Sequence, residues 1–104
     1  MINITRRAWL HILRYHTDAQ FSRQRKKSKF YDKEDLVELI AQADQHTPRR
    51  LLNGNSERVF DAGHRVGIER KSGKPTSLVT VVTQPNNDLV TMFPGHGSRK
   101  YHGP

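Results

Sequence analysis

Two histidines near the amino end, His11 and His16, lie in the most basic part of the chain. Residues 1–30 contain eight lysine or arginine side chains and one acid, Asp18, so this segment carries nearly all of the net charge of +8. Histidine donates or accepts protons near neutral pH, and cationic side chains stabilise charge on a phosphate. Because RNA carries its own nucleophile, the 2′-hydroxyl, these residue types are sufficient for metal-free phosphodiester cleavage.

His16 is the leading candidate for proton transfer, because it immediately precedes the basic segment and has the hydroxyl of Thr17 beside it. The densest cationic cluster follows, and it contains Lys26, Lys27 and Ser28. Each feature has a structural alternative. A histidine at a helix end interacts favourably with the helix dipole, and a basic run often forms a solvated loop.

Hydroxyls on two neighbouring predicted strands are the second group of candidates. Thr80 and Thr91 are expected to share a face, and on an uncovered face they would contact a phosphate or a ribose. Their structural alternative is simple β-propensity. His64 and His96 flank strands next to glycines, and they fit either a site or a turn.

The composition excludes several classes of function. The chain has no cysteine, so it forms no disulfide, no zinc–thiolate site and no cysteine nucleophile. Its six histidines show no metal-binding motif, and phosphate-binding loops are also missing, so we expect no metal and no cofactor. A pI near 10.3 favours nucleic acid, an anionic surface or an acidic protein as partner. Apolar runs are far shorter than a membrane span, and no signal peptide is visible.

The first helix is predicted to begin after the cap Thr5 and to continue to about Tyr15. Its buried stripe has helical spacing and consists of Ala8, Trp9, Ile12 and Leu13. His16 continues this stripe one turn past Ile12. The helix therefore aims His16 at the body of the domain.

The remaining pattern predicts a second helix and four strands. Asp32 is expected to cap a helix over residues 33–45. The strands are predicted at 58–62, 64–70, 76–84 and 89–93, with hairpin-type turns between them. This order predicts an α+β domain, with two N-terminal helices on one face of a four-stranded antiparallel sheet and the other face uncovered. One domain is expected over residues 1–95, followed by a loose tail at 96–104.

Several segments resemble a known group of ribonucleases. They are HILRYHT at 11–17, KKSKF at 26–30, LVELIAQA at 36–43 and VFDAGHRVGIERKSGKPTSLVTVVTQPNNDLVTMFPG at 59–95. Together they resemble the barnase/EndoU/colicin/RelE (BECR) superfamily. The most similar subset is the C-terminal toxin domains of contact-dependent inhibition (CdiA-type) and other polymorphic toxins. The resemblance covers about residues 8–95 and implies a BECR-like fold.

The resemblance also implies particular site residues. The histidine near the first helix corresponds to His16, and the cationic segment corresponds to Lys27, Ser28 and Phe30. The strand threonine corresponds to Thr91. Further candidates are Thr80, His64 and Arg65. A barnase-like glutamate base is missing, since Glu69 is the only glutamate on a predicted strand.

The activity implied is a metal-independent ribonuclease that acts on RNA, with tRNA as the expected substrate. Attack of the 2′-hydroxyl would give a 2′,3′-cyclic phosphate, with His16 as general base or acid. Lys27 and Arg65 would stabilise charge, and hydroxyls would orient the phosphate or the ribose; these are Ser28, Thr80 and Thr91.

The resemblance further implies an acidic cognate immunity protein and delivery, within a longer exported chain, to the cytoplasm of a target bacterium. It leaves a host protein cofactor open. Two rival functions explain the charge equally well. One is a non-catalytic nucleic-acid-binding module, and the other is a ribosome-dependent mRNA interferase of a toxin–antitoxin pair.

Overall fold

A computed structural model of the chain describes residues 1–17, 28–31, 33–70 and 72–96. These ranges contain two helices and two antiparallel sheets, which confirms the predicted α+β class. The helices are α1 (Arg6–Tyr15) and α2 (Leu36–Ala43). The strands are β1 (Lys29–Phe30), β2 (Arg49–Arg50), β3 (Ser56–Asp61), β4 (Gly67–Ile68), β5 (Pro75–Thr76), β6 (Leu78–Thr83) and β7 (Leu89–Pro94).

Helix α1 begins and ends where the sequence predicts. The Thr5 hydroxyl accepts a hydrogen bond from the Ala8 amide at 3.2 Å, which satisfies an amide that has no partner within the helix. Ala8 and Ile12 are buried, and Trp9 packs against the same core. The outward positions are exposed and mostly basic: Arg6, Arg7, Leu10 and Arg14.

Helix α2 is shorter than predicted and has a different cap. Asp35 is the N-cap, and its carboxylate accepts from the Glu38 amide at 3.1 Å; Asp32 lies outside the described residues. The helix begins where its buried stripe begins, and this stripe consists of Leu36, Leu39, Ile40 and Ala43. In the part of the chain that the structure describes, neither helix has the length and apolar character needed to span a bilayer.

The predicted four-stranded meander needs one correction. The four-stranded sheet has the order β2-β3-β6-β7, so its fourth member is the unpredicted strand β2. The predicted strand at 64–70 contributes only β4, which pairs with β1 and β5 in a separate three-stranded sheet. Strands of two residues have no readable alternation, so the sequence pattern could not reveal this second sheet.

Close packing explains why β4 begins with a glycine. A Cβ atom at Gly67 would stand 2.2 Å from the carbonyl oxygen of Lys29 and 2.9 Å from the Phe30 Cα. Only a residue without a side chain allows this approach of two backbones. Gly67 thereby lets β4 pack closely against β1.

The four-stranded sheet has two unlike faces. On one face Phe60, Val79, Val81 and Met92 join the core formed with both helices. Directly paired residues project to the same side, so the second face carries two rows across β3, β6 and β7. These rows are Glu57–Val82–Thr91 and Val59–Thr80–Phe93.

The second face is not open at its centre, which corrects the prediction of an uncovered face. Thr80 is 0% exposed and Glu57 is 1% exposed, and Val82 is also buried. Thr91 and Phe93, on the edge strand β7, are partly exposed. The accessible parts of this face therefore lie along β7 and at Val59 of β3.

Helix α1 runs beside β7 in the same direction. Asn3 forms a parallel bridge with Asp88, and the His16 ring lies 5.6 Å from the Phe93 ring. From Thr5 to His16 the chain rises about 16 Å at helical spacing, and from Asp88 to Phe93 it rises about 17 Å at strand spacing. The helix and the strand are thus matched in length and form the two walls of a groove.

Candidate active site between the first helix and the last strand

The backbone of His16 is fixed on both sides. His16 is the C-cap of α1, and its amide donates to the Ile12 carbonyl at 2.9 Å. Its own carbonyl accepts from the Phe30 amide at 2.7 Å, which joins the helix end to β1. The residue is 8% exposed, as expected for a histidine that continues the buried stripe. A side chain on so rigid a support has a defined position.

A hydrogen bond sets the orientation of the His16 ring. Its Nδ1 atom lies 2.9 Å from the carbonyl oxygen of Ser28. A carbonyl oxygen can only accept, so Nδ1 carries a proton, and the neutral ring then has its lone pair on Nε2. Nε2 is therefore the atom through which His16 could exchange a proton with a substrate.

Ser28 holds His16 in place. Its carbonyl accepts from the imidazole, and its hydroxyl accepts from the Arg70 amide at 2.8 Å. These two bonds join β1, the end of α1 and the turn after β4. The sequence predicts Ser28 as a substrate-binding residue, and in the structure its carbonyl and its hydroxyl are bonded to His16 and Arg70.

His11 contacts His16 although sequence spacing would separate them. On one continuous helix, residues five apart point about 140° away from each other. His16 is the C-cap of α1, and the two ring centroids nevertheless lie 5.2 Å apart at an interplanar angle of 61°. The Tyr15 ring is 5.0 Å from the His11 ring. We call His11, Tyr15, His16 and Phe93 the histidine cluster.

Thr91 lies where the sequence predicts a hydroxyl of the site. The register shifts between Val82 and Thr83, which pair with Thr91 and Leu89, so Val90 is an extra residue in β7. Such a bulge re-aims the side chains beside it. The Thr91 hydroxyl is buried and has no hydrogen-bond partner within the described ranges. A buried hydroxyl without a partner is unusual and is often associated with a functional site.

A cleft of about 600 Å³ lies between the first turns of α1 and the start of β7. This volume falls within the usual range of small-molecule sites. The cleft is lined by a cation, Arg7, an imidazole, His11, and the residue Thr91. Its full lining is Thr5, Arg7, Ala8, His11, Gln84, Asp88, Leu89, Val90 and Thr91. Through His11 this α1–β7 cleft is continuous with the histidine cluster.

Two other predicted hydroxyls have structural partners. Thr17 donates to the Leu13 carbonyl at 2.6 Å and forms a bridge with Phe30. Thr80 donates to the Gly95 carbonyl at 2.7 Å and has no exposed surface. Thr80 and Thr91 share a face as predicted, but the whole Thr80 residue is buried and its hydroxyl proton is used by the Gly95 carbonyl, whereas the Thr91 residue is partly exposed.

The predicted pair at the second strand lies elsewhere. His64 is exposed, and its Nε2 is 2.7 Å from a carboxylate oxygen of Glu34, near the start of α2. Arg65 is exposed on the same loop. His64 thus contacts Glu34 and not the histidine cluster. Lys26 and Lys27 lie outside the described residues.

Glu57 is a candidate that the sequence pattern missed. The predicted strand begins at Arg58, but β3 begins at Ser56, so Glu57 belongs to the strand and the prediction that Glu69 is the only strand glutamate is wrong. Glu57 lies in one row with Thr91, on the face that borders the cluster, and Arg49 of β2 is directly opposite it. Glu69 instead accepts from the Ser72 hydroxyl and the His96 amide.

Within residues 1–17, 28–31, 33–70 and 72–96, no three histidine or acidic side chains converge on a position that would hold a metal ion. Comparisons with protein-family models, with curated proteins and with solved structures each find no match. The proposal of a function therefore depends on the geometry of the cluster and the cleft.

Proposed function

We propose that the protein is a metal-independent ribonuclease whose acid and base are His11 and His16. The observation that carries the proposal is the contact of two imidazoles, whose ring centroids are 5.2 Å apart, beside a cleft lined by the cation Arg7 and by Thr91. The buried hydroxyl of Thr91 has no hydrogen-bond partner within the described ranges. Cleavage of RNA through its own 2′-hydroxyl needs one group to remove a proton and a second to supply one. Two adjacent imidazoles meet this requirement near neutral pH.

The proposed reaction is a transesterification. One imidazole removes the proton of the 2′-hydroxyl, and the 2′-oxygen attacks the adjacent phosphorus. The bond from phosphorus to the 5′-oxygen breaks, and the other imidazole protonates that oxygen. The products are a 2′,3′-cyclic phosphate and a 5′-hydroxyl end. The first imidazole ends protonated and the second neutral, so the protons balance.

Other groups have supporting roles in this proposal. Arg7, which lines the cleft, stabilises the negative charge of the phosphate. Lys27 of the basic segment adds a second positive charge that acts on the same phosphate. Thr91 donates its hydroxyl to the phosphate or the ribose, which would give that hydroxyl the partner it lacks within the described ranges. Ser28 keeps the His16 ring in its tautomer through the 2.9 Å bond.

The resemblance to BECR toxins makes tRNA the first substrate to test and an acidic immunity protein the proposed partner. The net charge of +8 suits both, because complementary charge accelerates association. In this proposal the domain acts in the cytoplasm of a target bacterium after delivery within a longer chain. A BECR-like arrangement of helices and sheet is part of the same proposal.

The test is cleavage of total tRNA in EDTA by the whole chain and by single variants. His11→Ala and His16→Ala should each lower the rate about 10²- to 10⁴-fold, the usual contribution of acid–base catalysis. The matched control is His46→Gln, because His46 is exposed and stacks on Phe60 at the other face of the sheet. Circular dichroism checks that each variant is folded.

Three results would contradict the proposal. Tight binding of tRNA with no fragments would favour a non-catalytic binding module. Cleavage of mRNA only on ribosomes would favour an mRNA interferase. Full activity in folded His11→Ala or His16→Ala protein would remove that histidine from the reaction.

A further inference from the structure

The α1–β7 cleft extends beyond the groups that the proposed reaction uses. At the far end from His16, the lining changes from the cation and the imidazole to an amide and a carboxylate, Gln84 and Asp88. From Thr5, beside the start of β7, to His11 the helix rises about 9 Å, so this end is close to the reacting groups. One nucleotide bridges such a separation when its base and its phosphate point to opposite ends.

The polar groups at this end have unused hydrogen-bonding capacity. The Gln84 side chain is exposed and makes no hydrogen bond to another described residue. Each carboxylate oxygen of Asp88 accepts one hydrogen bond from a side-chain amide. One bond comes from Asn3 at 3.2 Å and the other from Asn86 at 3.3 Å. A carboxylate has about four acceptor positions, so both oxygens can still accept a second bond.

The walls around these groups suit a flat aromatic ring. The apolar residues of the lining are Ala8 on α1 and Leu89 and Val90 on β7, of which Val90 is partly exposed and the other two are buried. A few polar groups at the end of an apolar cleft are the usual arrangement for orienting a ligand. The size and the lining therefore fit a single base.

We infer that the Gln84–Asp88 end of the cleft is a nucleobase subsite that prefers guanine. The Watson–Crick edge of guanine presents two adjacent donors, N1–H and the N2 amino group, beside the O6 acceptor. Two carboxylate oxygens of Asp88 match the two donors, and the amide nitrogen of Gln84 matches O6. Adenine, cytosine and uracil each lack the pair of adjacent donors. The inference rests on the proposed function for its substrate class.

The experiment measures binding of mononucleotides, which the protein cannot cleave. Guanosine and adenosine 3′-monophosphates are titrated into the whole chain and followed by calorimetry. We expect guanosine 3′-monophosphate to bind at least about tenfold more tightly, since one matched pair of hydrogen bonds to a base usually discriminates by that much or more. Asp88→Asn should remove most of this preference, because it exchanges one acceptor for a donor while keeping an oxygen for Asn3.

Gln84→Glu gives the sharper result. A carboxylate at this position repels O6 of guanine, so guanosine 3′-monophosphate should bind more weakly and most of the preference should be lost. The matched control is Gln45→Glu, which makes the same charge change at an exposed position just after α2. Gln84 makes no side-chain bond to the described part of the chain, so this variant should fold like the parent.

The outcomes separate the subsite from the reaction. Equal binding of both nucleotides by the parent chain, or equal effects of Gln84→Glu and Gln45→Glu, would overturn the subsite even if RNA is cleaved. A guanine preference that Gln84→Glu removes and Gln45→Glu keeps would support the subsite even if no RNA is cleaved, and in that case only the proposed reaction would fail.

Discussion

Thr80 and Thr91 share one face of the four-stranded sheet but differ in hydrogen bonding. The Thr80 hydroxyl donates to the Gly95 carbonyl at 2.7 Å, whereas the Thr91 hydroxyl is buried without a partner in the described ranges. Valine has nearly the same shape as threonine and no hydroxyl. The same substitution at the two positions should therefore have opposite effects on stability.

The size of each effect follows from the cost of an unpaired polar group. A buried group without a hydrogen bond costs about 1–3 kcal/mol. Thr91→Val removes such a group and should raise the free energy of unfolding by about 1–2 kcal/mol, near the lower part of that range. Thr80→Val takes the partner from the Gly95 carbonyl and should lower the free energy of unfolding by about 1–3 kcal/mol.

The assay is equilibrium unfolding in urea, with thermal melts as a second measurement. In a domain of about this size, each kcal/mol moves Tm by roughly 4–8 °C, so the two variants should melt on opposite sides of the parent. Cleavage should change differently. Thr91→Val should lose about tenfold to a hundredfold in rate, the value of one hydrogen bond to a charged group, and Thr80→Val should keep its activity while folded.

One result would refute this reasoning. If Thr91→Val destabilises the protein as much as Thr80→Val does, then the Thr91 hydroxyl contributes to the stability of the fold and is not left unpaired for a substrate. The assignment of Thr91 to the active site would then lose its main support.

Three further predictions test the fold. Gly67→Ala should lower the free energy of unfolding by at least about 1–3 kcal/mol in urea melts, because a Cβ atom would overlap the Lys29 carbonyl. Asp35→Ala should lower the free energy of unfolding by about 1 kcal/mol in the same melts, as the loss of a helix cap usually does. The hydrogen bond from the Gly63 amide lowers the pKa of the Asp61 carboxyl. An NMR titration should therefore find the pKa of Asp61 below that of aspartate in an unfolded peptide. The small stabilisation that this hydrogen bond provides is present above the pKa that Asp61 has in the unfolded chain. It is lost as the pH falls through the pKa that Asp61 has in the folded protein.

The sequence predicts the long elements because their signals are local. Thr5 and a stripe with helical spacing define α1, and short runs rich in β-branched and apolar residues define β6 and β7. His16 is correctly expected at the helix end, facing the core, because it continues the stripe. The structure then adds the bond to the Ser28 carbonyl, which joins residues 12 positions apart and has no local signal.

The contacts that make the site depend on the path of the chain. Helical spacing gives no signal for the contact of His11 with His16, because it places residues five apart on different sides of a helix. Glu57 was missed because its strand begins two residues earlier than the apolar pattern suggests. The burial of Thr80 could not be predicted either, since alternation assigns a residue to a face but does not say what covers that face.

The chemistry of the RNA ends tests the two-imidazole mechanism most directly. Purified whole chain is incubated in EDTA with tRNA, and with a matched oligonucleotide that has a single 2′-deoxy substitution at the cleaved position. The mechanism predicts fragments with 2′,3′-cyclic phosphate and 5′-hydroxyl ends, and no cleavage at the deoxy position. Intact RNA, fragments with 3′-hydroxyl and 5′-phosphate ends, or cleavage at the deoxy position would contradict it.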